Sequence, residues 1–298
     1  MSRVPYTKPA RTAADLVQLL SSRGMVIADP ARAQRYINFI GYYRLSGYFR
    51  LLADPADPLH EKFIAGTTFQ QALDIYIFDR KLRVLLNDAL ERIEVAVKAV
   101  ISNQSSLSHG PFWLYDPAHF DRGSHPSVLE TINDTTLSRS AQHQFLRAFG
   151  NKYSNPNPPS WMVMETLSFG AVSRFYGYMR GTLRIPVALT FRLQHDVLES
   201  WFHALAFGRN VCAHHGRLWN RTFTIRAQIP KSYTALWPTG SRALLYGQCF
   251  MIRHMMLVIA PVSQWHERLK VEIASRPNSV TLHSMGFPTG WETQTFWN

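Results

Sequence analysis

The residues best suited to chemistry lie together at positions 209–221, which read R-N-V-C-A-H-H-G-R-L-W-N-R. Three of them are arginines, which stay positively charged and whose planar fork matches phosphate oxygens. Two are histidines, whose unperturbed pKa of about 6.5 suits proton transfer near neutral pH. Cleavage of an RNA phosphodiester by its own 2′-hydroxyl needs such groups: a proton acceptor, a proton donor and positive charge on the transition state.

An apolar run precedes these residues and must position them. Residues 197–207 read V-L-E-S-W-F-H-A-L-A-F, with apolar side chains at helical spacing. Gly216 follows at the place where many helices end in a left-handed glycine. We therefore expect His214 and His215 in the last turn of a helix, where the partial negative charge of the carbonyl end favours a protonated imidazole.

The spacing of Arg209 and His214 limits what one chain can do. Residues five apart on a regular helix point about 140° apart, so the two side chains converge poorly. A second copy of the chain across a two-fold axis would bring two arginines and two histidines to one cleft. A homodimer could therefore supply a composite site that one chain lacks.

The same segment carries a family resemblance. Arg209-Asn210-x-x-x-His214 resembles the R-x(4–6)-H motif of HEPN-superfamily ribonucleases. The full string closely resembles the Abi-like branch of that superfamily, of the AbiD/AbiF abortive-infection type. Upstream segments agree in order: I-G-Y-Y-R-L-S-G-Y at 40–48, F-D-R-K-L-R at 78–83 and E-R-I-E at 91–94. The resemblance covers roughly residues 6–261.

The resemblance implies a metal-independent endoribonuclease of phage defence, in the toxin or abortive-infection class, with RNA as substrate and no cofactor. In that role Arg209 stabilises phosphate charge and His214 transfers a proton. A second hypothesis is a binding module, because some HEPN proteins bind RNA or protein partners without cutting. A third is a toxin that an antitoxin protein or a small RNA holds inactive.

Three further residues are candidates to support this pair. Asn210 could orient His214 or a phosphate, although a polar residue in the last turn of a helix is an ordinary alternative. His215 could be a second proton carrier, in what the family pattern treats as an accessory position. Glu94 lies near an apolar helix stripe, where a carboxylate usually needs a cationic partner, and Arg209 is a candidate for that partner. The alternative for Glu94 is an ordinary surface glutamate.

Four residues are candidates for RNA contacts because they are polar or basic: Arg217, Asn220, Arg221 and Arg44. The first three follow the predicted helix, and solvated surface charge is their alternative role. Arg44 stands among Tyr42, Tyr43 and Tyr48, and mixtures of arginine and aromatic side chains are typical of surfaces where bases stack. An aromatic core stripe with one arginine extending to solvent is the alternative there.

The composition favours a polyanionic partner. Lysine and arginine number 32 against 20 acidic residues, which gives a net charge of +12 and a pI near 10.0. A basic solvated surface is the alternative. Metal catalysis is poorly supported, since the adjacent His214 and His215 cannot both face one ion from a helix and no H-x-x-x-H pattern accompanies them. A Ser-His-Asp hydrolase lacks a nucleophile-elbow pattern.

The cysteines and the apolar segments bear on the compartment. The two cysteines, Cys212 and Cys249, are too few for a disulfide framework, and we expect buried thiols in a cytoplasmic protein. Residues 1–11 have no apolar segment of the kind that signal peptides contain. Residues 244–262 are the most apolar stretch, but three polar residues interrupt it, which predicts a core helix and no membrane span.

Almost every periodic segment has the 3.6-residue period of a helix, so we predict an all-α fold. The longest run starts at a capping-box pattern, T-F-Q-Q at 68–71, and extends to about residue 102. The predicted architecture is a HEPN-like helical bundle with additional N- and C-terminal helices. We expect an N-terminal helical extension at 1–66, a HEPN-like core with the R-x4-H motif at 67–261, and a C-terminal helix and docked aromatic tail at 262–298.

Overall fold

The computed structural model describes residues 5, 7, 9–59 and 61–298. Within that part of the chain the regular structure consists of thirteen α-helices, short 3-10 turns and one π-helical turn, with isolated β-bridges but no strand. The predicted all-α fold is confirmed. The signal-peptide prediction depended on residues 1–11, of which residues 1–4, Tyr6 and Lys8 lie outside the described residues.

The α-helices in chain order are α1 (Ala13–Ser22), α2 (Pro30–Ile40), α3 (Tyr42–Phe49), α4 (Phe69–His109), α5 (His125–Ile132), α6 (Gln144–Lys152), α7 (Ser160–Thr166), α8 (Phe169–Tyr178), α9 (Gly181–Thr190), α10 (His195–Ala213), α11 (Leu245–Ile259), α12 (Trp265–Ala274) and α13 (Leu282–Met285). The longest, α4, continues past the predicted end near residue 102. Helices α7 and α8 are separate because the Ser168 side chain accepts a hydrogen bond from the Ala171 amide and starts a new helix.

The chain divides into two compact units. The first comprises Met1–Lys81 with Glu272–Thr281, and the second comprises Leu82–Val271 with Leu282–Asn298. Helices α4 and α12 therefore contribute residues to both units. The boundaries expected after residues 66 and 261 rest on sequence pattern and stay a prediction.

The first unit is built from α1, α2, α3 and the beginning of α4. Thr12 and Asp15 form a capping box that starts α1, and Asp29 caps α2 ahead of a proline at its first position. The helices pack around one buried apolar cluster: Val17, Leu20, Met25, Ala33, Ile37, Leu45, Phe49, Phe69 and Ala72. Between α2 and α3 the chain turns at Gly41, whose φ of 93° suits glycine.

In the second unit, α10 is a largely buried helix. Ten of its residues are buried, and α8, α9 and α11 pack against it. Gly208 permits the close approach of α11, because a Cβ there would lie 2.4 Å from Gln248 Oε1. The Trp201 indole donates a hydrogen bond to the Gln228 carbonyl at 2.8 Å. These contacts fix the helix that carries the 209–221 segment.

Helix α11 is a core helix, as predicted for residues 244–262. Two of its polar residues have partners within the protein: His254 bonds Tyr233 and the Phe191 carbonyl, each at 2.8 Å, and Arg253 donates to the Phe296 carbonyl at 3.1 Å. None of the described helices has both the length and the apolar character that crossing a bilayer requires.

The C-terminal aromatic residues dock against this helix, which confirms their predicted packing. Trp291 and Trp297 are 2% and 0% exposed, and the Phe296 ring stacks on the Phe250 ring with a centroid distance of 4.1 Å. Cys212 and Cys249 are buried thiols that form no disulfide, also as predicted.

Candidate active site

Helix α10 ends within the candidate motif. Its last helical residue is Ala213, His214 is the C-cap, and His215 follows with a left-handed φ of 57°. The His215 amide donates to the Cys212 carbonyl at 3.0 Å, and the Gly216 amide donates to the Val211 carbonyl at 2.7 Å. This pair of hydrogen bonds is the Schellman arrangement, which satisfies carbonyls at a helix end.

The predicted positions of His215 and Gly216 at the helix end are therefore wrong in detail. His215 lies one residue beyond the helix and holds the left-handed conformation that we expected at Gly216. Glycine is favoured at 216 for a different reason: a Cβ there would lie 3.0 Å from Val211 Cγ1 and 3.1 Å from the Val211 carbonyl oxygen. A left-handed conformation costs a non-glycine residue about 1–2 kcal/mol, so the cap contains strain at His215.

Arg209 is held by an ion pair. Its Nε lies 3.1 Å from Glu94 Oε2, and the other carboxylate oxygen lies 3.2 Å from the Lys98 ammonium. The Glu94 and Lys98 side chains are 11% and 12% exposed, whereas Arg209 keeps 34% of its side-chain surface. The predicted contact between Glu94 and Arg209 is confirmed, and it involves Nε of the guanidinium.

Lys98 is a neighbour of this site that the sequence argument missed. It lies four residues after Glu94 on α4, a spacing that brings side chains together on a helix. With Lys98, the cluster has two cations and one carboxylate, so its formal charge is positive. The i,i+4 spacing from Glu94 would have identified Lys98 once Glu94 had been chosen.

His214 and Asn210 lie on the exposed side of α10, and both side chains are solvent accessible. They are four residues apart, so they share a helix face. Arg209 lies on another face, against Glu94, in agreement with the angular mismatch expected from the sequence. The His214 amide donates to the Asn210 carbonyl at 3.0 Å, which holds the backbone of the cap in place.

A cleft of about 490 Å³ lies along the same face of α10. Its lining includes Arg174, Tyr178, Glu199, His203 and Arg226. His203 is exposed and eleven residues before His214, hence nearly in line with it and about 16 Å away along the helix axis. The Glu199 carboxylate forms an ion pair with Arg184, whose Nη1 lies 2.6 Å from Glu199 Oε2.

The basic residues that follow the helix are not equivalent. Arg221 folds back over the helix end, where its guanidinium carbon lies 5.8 Å from the Phe207 ring centroid and Nη1 donates to the Arg217 carbonyl at 3.4 Å. Arg217 is half-buried, while Asn220 is exposed with a left-handed φ of 48°. A cation beside the carbonyl end of a helix is favourable, so Arg221 has a structural role independent of RNA.

Two further contacts hold the turn in place. Arg83, buried on α4, donates from Nη1 to the Gly216 carbonyl at 3.4 Å. Trp219 is buried and its indole donates to Ser284 Oγ at 3.1 Å. Neither contact follows from local sequence pattern, since each joins residues more than sixty positions apart.

Arg44, the remaining candidate, belongs to the first unit and is exposed on α3. Its aromatic neighbours have different environments. Tyr48 is buried and donates to Asp79 at 2.7 Å, Tyr42 packs beside the core cluster, and Tyr43 is 93% exposed. The alternative of an aromatic core stripe is thus correct for Tyr48 and Tyr42 but wrong for Tyr43.

The second unit therefore contains a fixed guanidinium and, one turn later, an exposed imidazole at the helix end. The guanidinium can bind phosphate oxygens and the imidazole can carry a proton. Among the described residues, no group of three histidine, cysteine, aspartate or glutamate side chains is arranged to hold a metal ion.

Comparison with known proteins gives one match. The sequence profile of the family described as Abi-like protein matches residues 35–220, more than half of the 298-residue chain. The matched range includes Arg209, His214, Glu94, Lys98 and Arg44. No curated protein and no solved structure matches the chain.

Proposed function

We propose that this chain, which belongs to the Abi-like protein family, is a metal-independent endoribonuclease. It would act in abortive infection, a form of phage defence. The observation that carries the proposal is a fixed arginine and an exposed histidine on one helix. Arg209 is held by Glu94 at 3.1 Å, and His214 stands exposed at the end of the same helix. The HEPN resemblance of the R-x4-H spacing supplies the reaction.

The reaction is an internal transfer at phosphorus. A base removes the proton of the 2′-hydroxyl, and the resulting oxygen attacks the adjacent phosphorus atom. The P–O5′ bond then breaks while an acid protonates the leaving 5′-oxygen, which yields a 2′,3′-cyclic phosphate and a 5′-hydroxyl. We assign proton transfer to His214 and stabilisation of the phosphorane-like charge to Arg209.

We further propose that the complete site is composite. The separation of Arg209 and His214 on α10 leaves one imidazole and one guanidinium per chain on different faces. Two-fold pairing of the motif helices would supply a second histidine, so that one imidazole acts as base and the other as acid. Asn210 and His215 lie beside His214 in the sequence and are candidates to orient it.

The RNA strand would run along the exposed face of α10 from His214 to the cleft at His203. At about 3.4 Å per stacked nucleotide, the 16 Å between these side chains corresponds to about five nucleotides, and to fewer in an extended strand. Arg174 and Arg226 at the cleft, with Arg217 and Asn220 after the helix, would then contact phosphates of the flanking nucleotides.

Cleavage of RNA in EDTA tests the proposal. Wild-type protein should cut single-stranded RNA, and His214→Ala should lower the rate by a factor of about 10² to 10⁴. His283→Ala, which removes an exposed histidine on α13, is the matched control and should cleave like wild type. Wild-type activity in a folded His214→Ala protein would remove the catalytic assignment.

A non-catalytic RNA-binding protein is the second candidate function. The specific observation in its favour is the ion pair between Glu94 and Arg209, because an arginine with a purely structural role would form the same pair. Binding of RNA by the wild-type protein in EDTA without any cleavage would support this candidate. A third candidate, a toxin restrained by an antitoxin protein or a small RNA, would show as a partner that co-purifies and suppresses cleavage.

A further inference from the structure

We propose a second RNA-binding surface in the first unit, formed by the exposed faces of α2 and α3, on which the bases of single-stranded RNA stack. The choice of RNA as ligand rests on the proposed function. The starting observation is the exposure of two large rings: Phe39 is 85% exposed and Tyr43 is 93% exposed.

Both rings point outward because their neighbours point inward. Ile40 and Tyr42, which alternate with them around Gly41, pack against the buried cluster of the first unit. Ile37 and Leu45, on either side of the turn, are 5% and 0% exposed. The helical period therefore fixes the exposure of Phe39 and Tyr43, since rotating either helix to bury them would expose the core.

The surface around the two rings is basic. Residues 30–52 include four arginines and no acidic residue. All four are exposed: Arg32, Arg35, Arg44 and Arg50. Arg32, Arg35 and Phe39 recur at spacings of three and four on α2, which places them on one stripe. The chain thus presents aromatic faces and guanidinium groups together.

That combination matches single-stranded RNA better than it matches a protein. Every base has a π-face that stacks on an aromatic ring, and arginine binds the phosphates between bases. A stable protein interface would need a larger apolar core than two rings. The surface would bind unpaired nucleotides with little sequence preference, because stacking does not read base edges.

The test measures binding of a fluorescent single-stranded RNA decamer in EDTA, using full-length His214→Ala protein so that cleavage does not interfere. In that background, Phe39→Leu and Tyr43→Leu keep apolar volume but remove the π-face, while Tyr43→Phe keeps the π-face and removes only the hydroxyl. Trp161→Leu, which removes a ring that is 46% exposed on α7 of the second unit, is the control.

We expect each leucine substitution on the surface to weaken binding by about fivefold to a hundredfold, the range for the loss of one base–aromatic stack. Tyr43→Phe and Trp161→Leu should bind as the parent does. Both rings lie outside the buried cluster, so melting temperatures should not change. A fluorescent adenine analogue in the RNA, quenched on binding to the Tyr43→Phe protein, would report stacking independently of affinity.

Unchanged affinity in the Phe39→Leu, Tyr43→Leu double variant would overturn the proposal. So would a double variant that binds RNA normally but changes its oligomeric state or its binding to anionic vesicles, because the surface would then serve a protein or a lipid bilayer. The proposed function can fail separately. If the wild-type protein never cuts RNA, but its RNA binding is lost when Phe39 and Tyr43 are replaced, then this RNA-binding surface is supported and only the catalytic proposal is wrong.

Discussion

The two sides of the candidate site differ in how firmly the protein holds them. On one side Arg209 and Lys98 share the carboxylate of Glu94, whose side chain is 11% exposed. On the other, His214 and His215 stand exposed at the end of α10. A side chain that must present fixed charge to a phosphate gains from a buried ion pair, while one that exchanges protons needs access to substrate. Substitutions on the two sides should therefore separate stability from activity.

The largest effect should come from the comparison of Arg209→Ala with His214→Ala. Both should lower RNA cleavage by about 10²-fold or more, because each removes a group that acts in the transition state. Only Arg209→Ala should also lower the free energy of unfolding, since it leaves Glu94 with one cation instead of two. Urea denaturation beside the cleavage assay measures both quantities. Equal stability losses in the two variants would erase the distinction between the two sides.

Mixed dimers would sharpen the comparison by asking which chain supplies each side. We expect a mixture of Arg209→Ala and His214→Ala subunits to recover part of the activity if one arginine and one histidine from any subunit suffice. If the site needs both copies of each, a single inactive subunit should instead suppress its wild-type partner. Full activity in a monomer at high dilution would show that each chain carries a complete site, and the composite arrangement would be wrong.

Substitutions of Glu94 directly test the ion pair that holds Arg209. Glu94→Ala should destabilise the protein by about 1–3 kcal/mol, because it leaves two cations without their carboxylate in a partly buried setting. Glu94→Gln keeps the shape of the side chain and should cost less. Activity should fall in both variants as Arg209 loses its position. Thermal unfolding with cleavage rates at matched folded fractions is the measurement, and wild-type activity in folded Glu94→Ala would leave the ion pair without a catalytic role.

The smallest effect should come from the helix cap. His215→Gly replaces a left-handed histidine by the residue that favours this conformation, and should stabilise the protein by about 1 kcal/mol. Gly216→Ala should do the opposite, because its Cβ would press on Val211. If His215→Gly also lowers cleavage, then His215 takes part in the chemistry. Unchanged cleavage would show that the left-handed conformation of His215 serves only the geometry of the turn.

The sequence predicted what depends on local pattern. Helical periodicity predicted the all-α fold and the core position of α11, and the charge near an apolar stripe predicted that Glu94 needs a cation. The sequence did not predict the details of the helix cap. Whether His215 or Gly216 adopts the left-handed conformation depends on how closely the chain returns to Val211. Tyr43 shows the same limit: it and Tyr42 have similar side chains and adjacent positions, and only packing against the core distinguishes them.

The central claim is that RNA is cut by its own 2′-hydroxyl at the Arg209–His214 site. The most direct measurement uses an RNA with a single cleavage position, in EDTA, with and without one 2′-deoxy substitution on the 5′ side of the cut. The account predicts a 2′,3′-cyclic phosphate and a 5′-hydroxyl from the all-ribose strand, no cut in the deoxy strand, and neither product with His214→Ala. Cleavage of the deoxy strand at the same bond, or products carrying a 5′-phosphate, would contradict it.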